Sequence, residues 1–317
     1  MSQGFLGYIG VAKETTWGTA VAATDYTELF SENVAETIDR FELKNAHGRF
    51  QEPDDAAGLV RVGGDIVVPG YPVILGQLLK GVMNSVSGSV VLSGSLWTSR
   101  FVSTKSEFSA AAPAQPYTLE LFRDVGSSFQ AVGACISRLQ MACAPNQPLR
   151  LTASVLAKAA TLIAKTTPTF VSSPANPFTF DTCSVQIGGA ASALCEAFAV
   201  SIDNQFDGIP TLNNSTAIGQ IKRRGFQMIR VSGTLDFPDV LEYLDFKNQA
   251  EQNFVFSFTK ADSFQLVIDL PRVVYDAYPV GIPGKDRLTV QFSGIARFKT
   301  TSDTSADFRL TSTRSNY

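Results

Sequence analysis

The sequence predicts a mainly-β protein made of two tandem β-sandwich or barrel modules, each with one flanking α-helix. Three observations predict it. A strand-to-helix segment is written twice, a second pair of matching segments follows in the same order, and apolar residues elsewhere mostly alternate with polar ones.

The first repeated segment is RVGGDIVVPGYPVILGQLL from Arg61, matched by RVSGTLDFPDVLEYLDF from Arg230; Gly64 aligns with Gly233, Ile66 with Leu235 and Pro69 with Pro238. Val62, Gly64, Ile66 and Val68 share one face of a period-two strand, as do Val231, Gly233, Leu235 and Phe237. The opposite faces carry Asp65 in one copy and Ser232, Thr234 and Asp236 in the other. Each strand runs into a helix opened by proline, at Pro72 and at Pro238, where the missing N–H costs nothing because it would have no helical acceptor. Ile74, Leu75, Leu78, Leu79 and Val82 make one apolar stripe, and Val240, Leu241, Leu244 and Phe246 the other. These stripes are expected to cover Val62, Ile66 and Val68 in the first copy and Leu235 and Phe237 in the second.

Before each strand comes an alternating segment, TIDRFELKN or AFAVSIDN, and then a long polar connection, roughly 46–58 or 204–225. Connections of that length inside a compact unit are usually functional, disordered or engaged with a partner. Further on, Arg150-Leu151-Thr152 matches Arg287-Leu288-Thr289. The spacing between copies is 169 from Arg61 to Arg230 but 137 from Arg150 to Arg287, so the first copy holds 32 extra residues. A Ser/Ala/Gly-rich stretch near 85–116, between the first helix and YTLELF, has that length and no counterpart after the second helix. Such an insertion is cheap, because loop-closure entropy grows only with the logarithm of length.

The units are therefore residues 1–170, with an extended N-terminal arm holding Tyr8 and Trp17 and the insertion near 85–116, and residues 171–317, with a short polar C-terminal tail. The arm is expected to order only on assembly. The Thr/Pro/Ser stretch AKTTPTFVSSPANP reads as the linker between them.

Composition excludes several functions. The chain has 317 residues, 44% hydrophobic and 17% charged, enough for two ordinary cores. A net charge of -3 argues against a protein that grips nucleic acid by neutralising phosphates. No apolar run approaches the roughly 20 residues that span a bilayer, and the N-terminus lacks the basic and apolar regions of a signal peptide. Neither membrane insertion nor secretion is expected.

Catalytic patterns are missing as well. No phosphate-binding loop, dinucleotide fingerprint, H-E-x-x-H or G-x-S-x-G occurs, so no catalytic residue, cofactor or metal is expected. The single histidine, His47, lies in a turn-rich stretch. Asp54-Asp55 and Asp203/Asp207 lie among turn formers and lack the order of a calcium loop. The four cysteines include no C-x-x-C pair. Cys183 and Cys195 bracket a hairpin turning at Gly188-Gly189 and could be cross-strand neighbours, while Cys135 and Cys143 read as ordinary core thiols.

At GVAKETTWGTAV, RVSGTLDFPDVLEYL, SFQLVIDLPRVVYD and the C-terminal TSTRSNY, the chain resembles the tail tube (major tail) proteins of long-tailed bacteriophages, in particular those with a duplicated tube domain. The resemblance runs over nearly the whole chain and departs from the pattern in the long Ser/Ala-rich insertion. It implies two tail-tube modules in a structural, non-enzymatic subunit, and rings stacked into a channel for genome ejection. Single-module relatives form hexameric rings, so a two-module chain would close the ring with three copies in pseudo-sixfold symmetry. It implies assembly in the bacterial host cytoplasm, a place in the virion tail, and contact with tape measure, terminator and distal tail proteins at the tube ends.

A channel must not hold duplex DNA, which carries about one negative charge per 1.7 Å. Asp65, Thr152, Ser154, Ser232, Thr234, Asp236, Thr289, Gln291 and Ser293 are the candidate lumen-facing residues; the other reading of the same faces is the solvent side of a sandwich. The two long connections supply candidate contacts between subunits or rings: Asp54 and Asp55 against the densest basic cluster, Lys222, Arg223 and Arg224. Each such rim pair would add about 1 kcal/mol or less. The alternative classes are a secreted or surface β-sandwich binding module, which would want a signal peptide and an exposed aromatic platform, and a capsid decoration protein.

Overall fold

The computed structural model describes residues 4–43, 50–51, 55–105, 114–170, 176–192, 194–237, 240–281 and 287–317. His47, Asp54, Pro238 and parts of the insertion and linker lie outside the described residues.

Alternation produces strands throughout, so the protein is mainly β with two α-helices among the described residues. In the first half are β1 (Tyr8–Lys13), β2 (Asp25–Thr27), β3 (Ser31–Glu32), β4 (Ala35–Glu42), β5 (Asp55–Pro69), α1 (Pro72–Met83), β6 (Asn84–Ser93), β7 (Leu96–Ser103), β8 (Tyr117–Phe122), β9 (Ser128–Cys143), β10 (Arg150–Ala157) and β11 (Ala159–Ile163). After a short 3-10 turn, Phe180–Thr182, come β12 (Cys183–Ile187), β13 (Ala190–Ala191), β14 (Cys195–Asp203), β15 (Phe206–Ile209), β16 (Gln220–Arg223), β17 (Met228–Asp236), α2 (Leu241–Lys247), β18 (Gln252–Thr259), β19 (Gln265–Ala277), β20 (Thr289–Ala296) and β21 (Asp307–Ser312).

One antiparallel sheet crosses both halves in the order β4-β5-β10-β9-β14-β17-β20-β19. Two further layers pack on it. They are β2-β1-β8-β9-β11 in the first half and β13-β12-β18-β19-β21-β7-β6 in the second. The long strands β9 and β19 serve both kinds of layer. Their N-terminal halves pair outward, their C-terminal halves join the crossing sheet, and bulges at Ser137 and Asp276 lie within the inner stretch.

The same pairing sequence thus occurs twice, and the register agrees with the sequence match. Val68 faces Leu151 and Asp65 faces Ser154; at the matching positions the Phe237 N–H donates to the Leu288 carbonyl at 3.1 Å, and Thr234 faces Gln291. Thr37 lies opposite Arg61 as Ser201 lies opposite Arg230.

The two helices differ. α1 ends on Asn84, whose left-handed backbone (φ 59°) lets its N–H reach the Lys80 carbonyl, and it is buried nearly all round. Its apolar stripe joins Val62, Ile66 and Val68 in the core, as expected. Gly76 is needed for close approach, since a Cβ there would lie 2.2 Å from the Tyr317 ring. α2 corrects the expectation of a second covered stripe: Val240, Leu241 and Leu244 are 54%, 63% and 41% exposed. Only Phe246 packs inward, 6.5 Å from the Tyr278 ring. The reason is cover. α1 is roofed by β9, the β6–β7 hairpin, β21 and Tyr317, whereas among the described residues α2 packs mainly on β19.

Other segments also behave differently from their sequence reading. The N-terminal arm is part of the single-chain fold: β1 lies between β2 and β8, and the Trp17 indole donates to the Gly133 carbonyl at 2.9 Å. The described part of the insertion forms the β6–β7 hairpin, which crosses over to extend the second half's sheet at β21. The linker is tied down at Thr166, whose carbonyl accepts from the Tyr8 hydroxyl and whose N–H donates to buried Glu120.

Candidate assembly surfaces

The nine polar residues read as one functional face do share a face of the crossing sheet. Ser154 lies opposite Asp65 and donates to it at 2.6 Å, while Ser232 faces Ser293, Thr234 faces Gln291 and Asp236 faces Thr289. The two groups are joined rung by rung, from Thr152 to Gln140, Ser201 and Arg230. All nine are at least partly exposed.

Sequence reasoning did not name the cations on this face: Arg61, Arg230 and Arg287 share the alternation of Asp65, Ser232 and Thr289, and Arg138 needed β9 to be placed beside β10 and β14. Arg138 stands opposite Asp203 and Ser154. Arg230 pairs with Asp276 at 3.0 Å, Arg61 with Asp39 at 3.4 Å, and Arg287 reaches both Glu196 and Asp236. Each of these four arginines has a carboxylate beside or across from it, whereas Arg150, exposed on the same face two residues before Thr152, lies over the Phe30 ring instead.

The second surface is the seam between halves. β14 pairs with β9 from Phe198 opposite Cys143 to Asp203 opposite Arg138. Just beyond, fully buried Asn204 donates through its backbone to the Ser137 carbonyl at 2.8 Å and through its side chain to the Val82 carbonyl at 2.8 Å. Its amide oxygen accepts from Arg223 at 3.0 Å and from Gln227 at 2.8 Å. The connection after Asn204 folds as the β15–β16 hairpin and lies on the first half: the Val60 N–H donates to the Thr216 carbonyl, and buried Ile218 packs nearby.

The basic cluster is split by this seam. Arg223 turns inward, and desolvation lowers its guanidinium from the ordinary value. Arg224 pairs with Asp207 at 3.0 Å, and Lys222 is exposed. The three line an open groove of about 810 Å³ with Lys105, Phe226 and Phe298. Within the chain Asp55 accepts from Arg40 at 2.9 Å.

Cys183 is not a cross-strand neighbour of Cys195. It faces Phe258 on β18, because the hairpin at Gly188-Gly189 ends at Ala191, before β14 begins. Both instead line a cavity of about 180 Å³ with Cys143. Burial pushes Cys143 and Cys195 up to about 11 and Cys135 and Cys183 to about 12, so they stay protonated and poorly nucleophilic near neutral pH. Among the described residues no group of His, Cys, Asp and Glu is arranged to hold a metal ion, and no helix is long and apolar enough to cross a membrane.

Comparison with known proteins adds one finding: residues 4–305 match a family described as phage tail tube protein. No curated protein matches the chain.

Proposed function

Because the chain belongs to the phage tail tube protein family, we propose that it is the repeating subunit of a bacteriophage tail tube, three copies closing each ring around the channel through which the genome leaves. The observation that carries this reading is the repeated strand pairing, with β14 of the second half continuing the sheet of the first. Two equivalent units per chain supply six around a ring from three chains, and a head-to-tail contact closes when its rotation divides the circle.

In this reading residues 1–170 and 171–317 are the two modules, and the crossing sheet forms the channel wall. Asp65, Thr152, Ser154, Ser232, Thr234, Asp236, Thr289, Gln291 and Ser293 face the lumen. Hydroxyls, amides and arginines that, Arg150 apart, stand beside or across from carboxylates present no continuous basic stripe on which duplex could condense. The α2 side and the connections around Asp54, Asp55, Lys222, Arg223 and Arg224 meet neighbouring subunits or rings, and other tail proteins cover the tube ends.

Electron microscopy of the purified, concentrated chain tests this. Rings or tubes with a central hole and threefold averages showing six similar lobes are expected. A monomer under every salt, pH and concentration condition overturns it.

A further inference from the structure

A small cavity of about 20 Å³ lies in the core of the first half, against α1, and every residue that lines it is buried. Most of its wall is apolar, with Ile66, Val68, Ile74 and Leu119 among the contributors. Two polar side chains also reach it, Thr27 on β2 and Gln77 on α1, the first fully buried and the second 5% exposed. Gln77 is oriented from its amide nitrogen, which donates at 2.9 Å to Asp25, the carboxylate that pairs with Arg314. Tyr117 lines the same cavity and steadies that helix turn, donating to the Gln77 backbone carbonyl at 2.7 Å. Among the described residues, neither the Gln77 amide oxygen nor the Thr27 hydroxyl has a hydrogen-bond partner.

Folded proteins pair nearly all of their buried polar atoms, because an orphan forfeits its contacts with solvent and receives none in exchange. Two orphans on one cavity therefore point to a shared occupant, and size and chemistry limit what it is. A water needs about 10–15 Å³, so the cavity seats one and is too small for two. The Gln77 amide oxygen only accepts, so the occupant must donate to it, while the Thr27 hydroxyl can do either. No charged side chain lines the cavity among the described residues, which disfavours an ion, and an apolar occupant would leave both atoms unpaired.

We propose that this cavity is the binding site of one structural water, held between the Gln77 amide oxygen and the Thr27 hydroxyl. The water completes a polar chain through an otherwise apolar core, from Arg314 to Asp25, to Gln77, to the water and to Thr27. Three separate parts of the sequence meet along it: the C-terminal segment, α1 and the N-terminal arm. The arm end matters most. β2 is only three residues long and pairs along β1, so a bridge from Thr27 to α1 adds hold where the ladder is short. Fully satisfied networks of this kind fix one arrangement of a core, because each member left unpaired would be costly.

Thr27→Val tests this, because valine keeps the shape of threonine and removes only the hydroxyl, so the sign of its effect decides. With a water in place the variant leaves it a single anchor, and the melting temperature of the full chain should fall by at least ~1 °C. In a dry cavity the same change deletes an unpaired buried hydroxyl, and an unchanged or higher melting temperature overturns the proposal. A structure of the wild-type chain sharp enough to show ordered waters gives the second readout. One peak within hydrogen-bond distance of both the Gln77 amide oxygen and the Thr27 hydroxyl is expected. An empty cavity, or a direct hydrogen bond between the two side chains, overturns the proposal whatever the melting temperature does. Should the valine variant not fold, the wild-type density alone decides.

Discussion

The side-chain amide of Asn204 donates to the Val82 carbonyl at 2.8 Å, so a residue of the second half closes the last turn of the first half's helix. Four other groups converge on the same asparagine: Ile136, Ser137, Arg223 and Gln227. Asn204→Ala should therefore destabilise the whole chain by about 2–4 kcal/mol, because buried partners, one of them a guanidinium, lose their acceptor or donor. Urea unfolding checks this. A loss below about 0.5 kcal/mol, the scale of an unremarkable surface change, would show that the seam does not depend on the asparagine.

Glu120 ties the N-terminus and linker to the first half. Its buried carboxylate accepts from the hydroxyls of Tyr26 and Ser128 and from the Thr166 N–H, and it lies 3.2 Å from the Tyr8 hydroxyl, whose proton is shared with the Thr166 carbonyl. Glu120→Leu should cost about 3 kcal/mol or more by stranding those donors, and Glu120→Gln less, since its amide oxygen still accepts. Limited proteolysis near residues 164–170 should speed up in the leucine variant, which distinguishes release of this segment from a general loss of stability.

Asp25 should make stability depend on acid. It is fully buried, and desolvation raises its carboxyl above the ordinary 3.8, against the opposing pull of Arg314 and of the Gln77 amide, which donates to it at 2.9 Å. The folded chain then binds this proton more readily than the unfolded chain. Its contribution to stability grows as pH falls through the raised value towards 3.8, and levels off below that. Asp25→Asn removes the effect, so wild-type stability minus variant stability should increase as pH falls across that window. Asp269 is also raised by desolvation, but it is present in both proteins and cancels. A difference flat with pH would refute the assignment.

Thiol reactivity offers a further check. With values raised from 9.0 to about 11 or 12, the native thiols should alkylate roughly a hundred- to a thousandfold more slowly than in denaturant. Iodoacetamide labelling followed by peptide mapping measures this. Half-buried Cys183 and Cys195 should still label ahead of buried Cys135 and Cys143.

If the crossing sheet lines a channel, making it basic should trap DNA. Thr152→Lys, Ser232→Lys and Thr234→Lys together should leave the fold intact and cause assembled tubes to retain duplex at low salt and release it at high salt. Retention by wild-type tubes, or none by the triple variant, would place another surface in the lumen.

The repeated corner and the RLT pair were readable because they are local: alternation, a proline and a fixed offset survive without knowledge of what lies beside them. The offset also anticipated the register, with Asp65 meeting Ser154 and Thr234 meeting Gln291. What failed depended on distant neighbours. Val240, Leu241 and Leu244 have the spacing of a covered stripe, but cover is decided by other segments, and among the described residues all three remain exposed. The bends of β9 and β19, which let each serve two layers, leave only a bulge that alternation cannot locate. Arg138 joined the polar face only once β9 was placed between β10 and β14, whereas Arg230 already alternates with Ser232, Thr234 and Asp236.

The β6–β7 hairpin has a historical consequence. A segment found only in the first half now protects the β21 edge of the second. A gene encoding the second half alone would yield a sheet with a bare strand, and one encoding the first half alone a hairpin with nothing to lean on. Substitutions can alter either half, but parting them would uncover β21 on one side and the hairpin on the other, so the crossing hairpin acts as a clasp that holds the two halves in one chain.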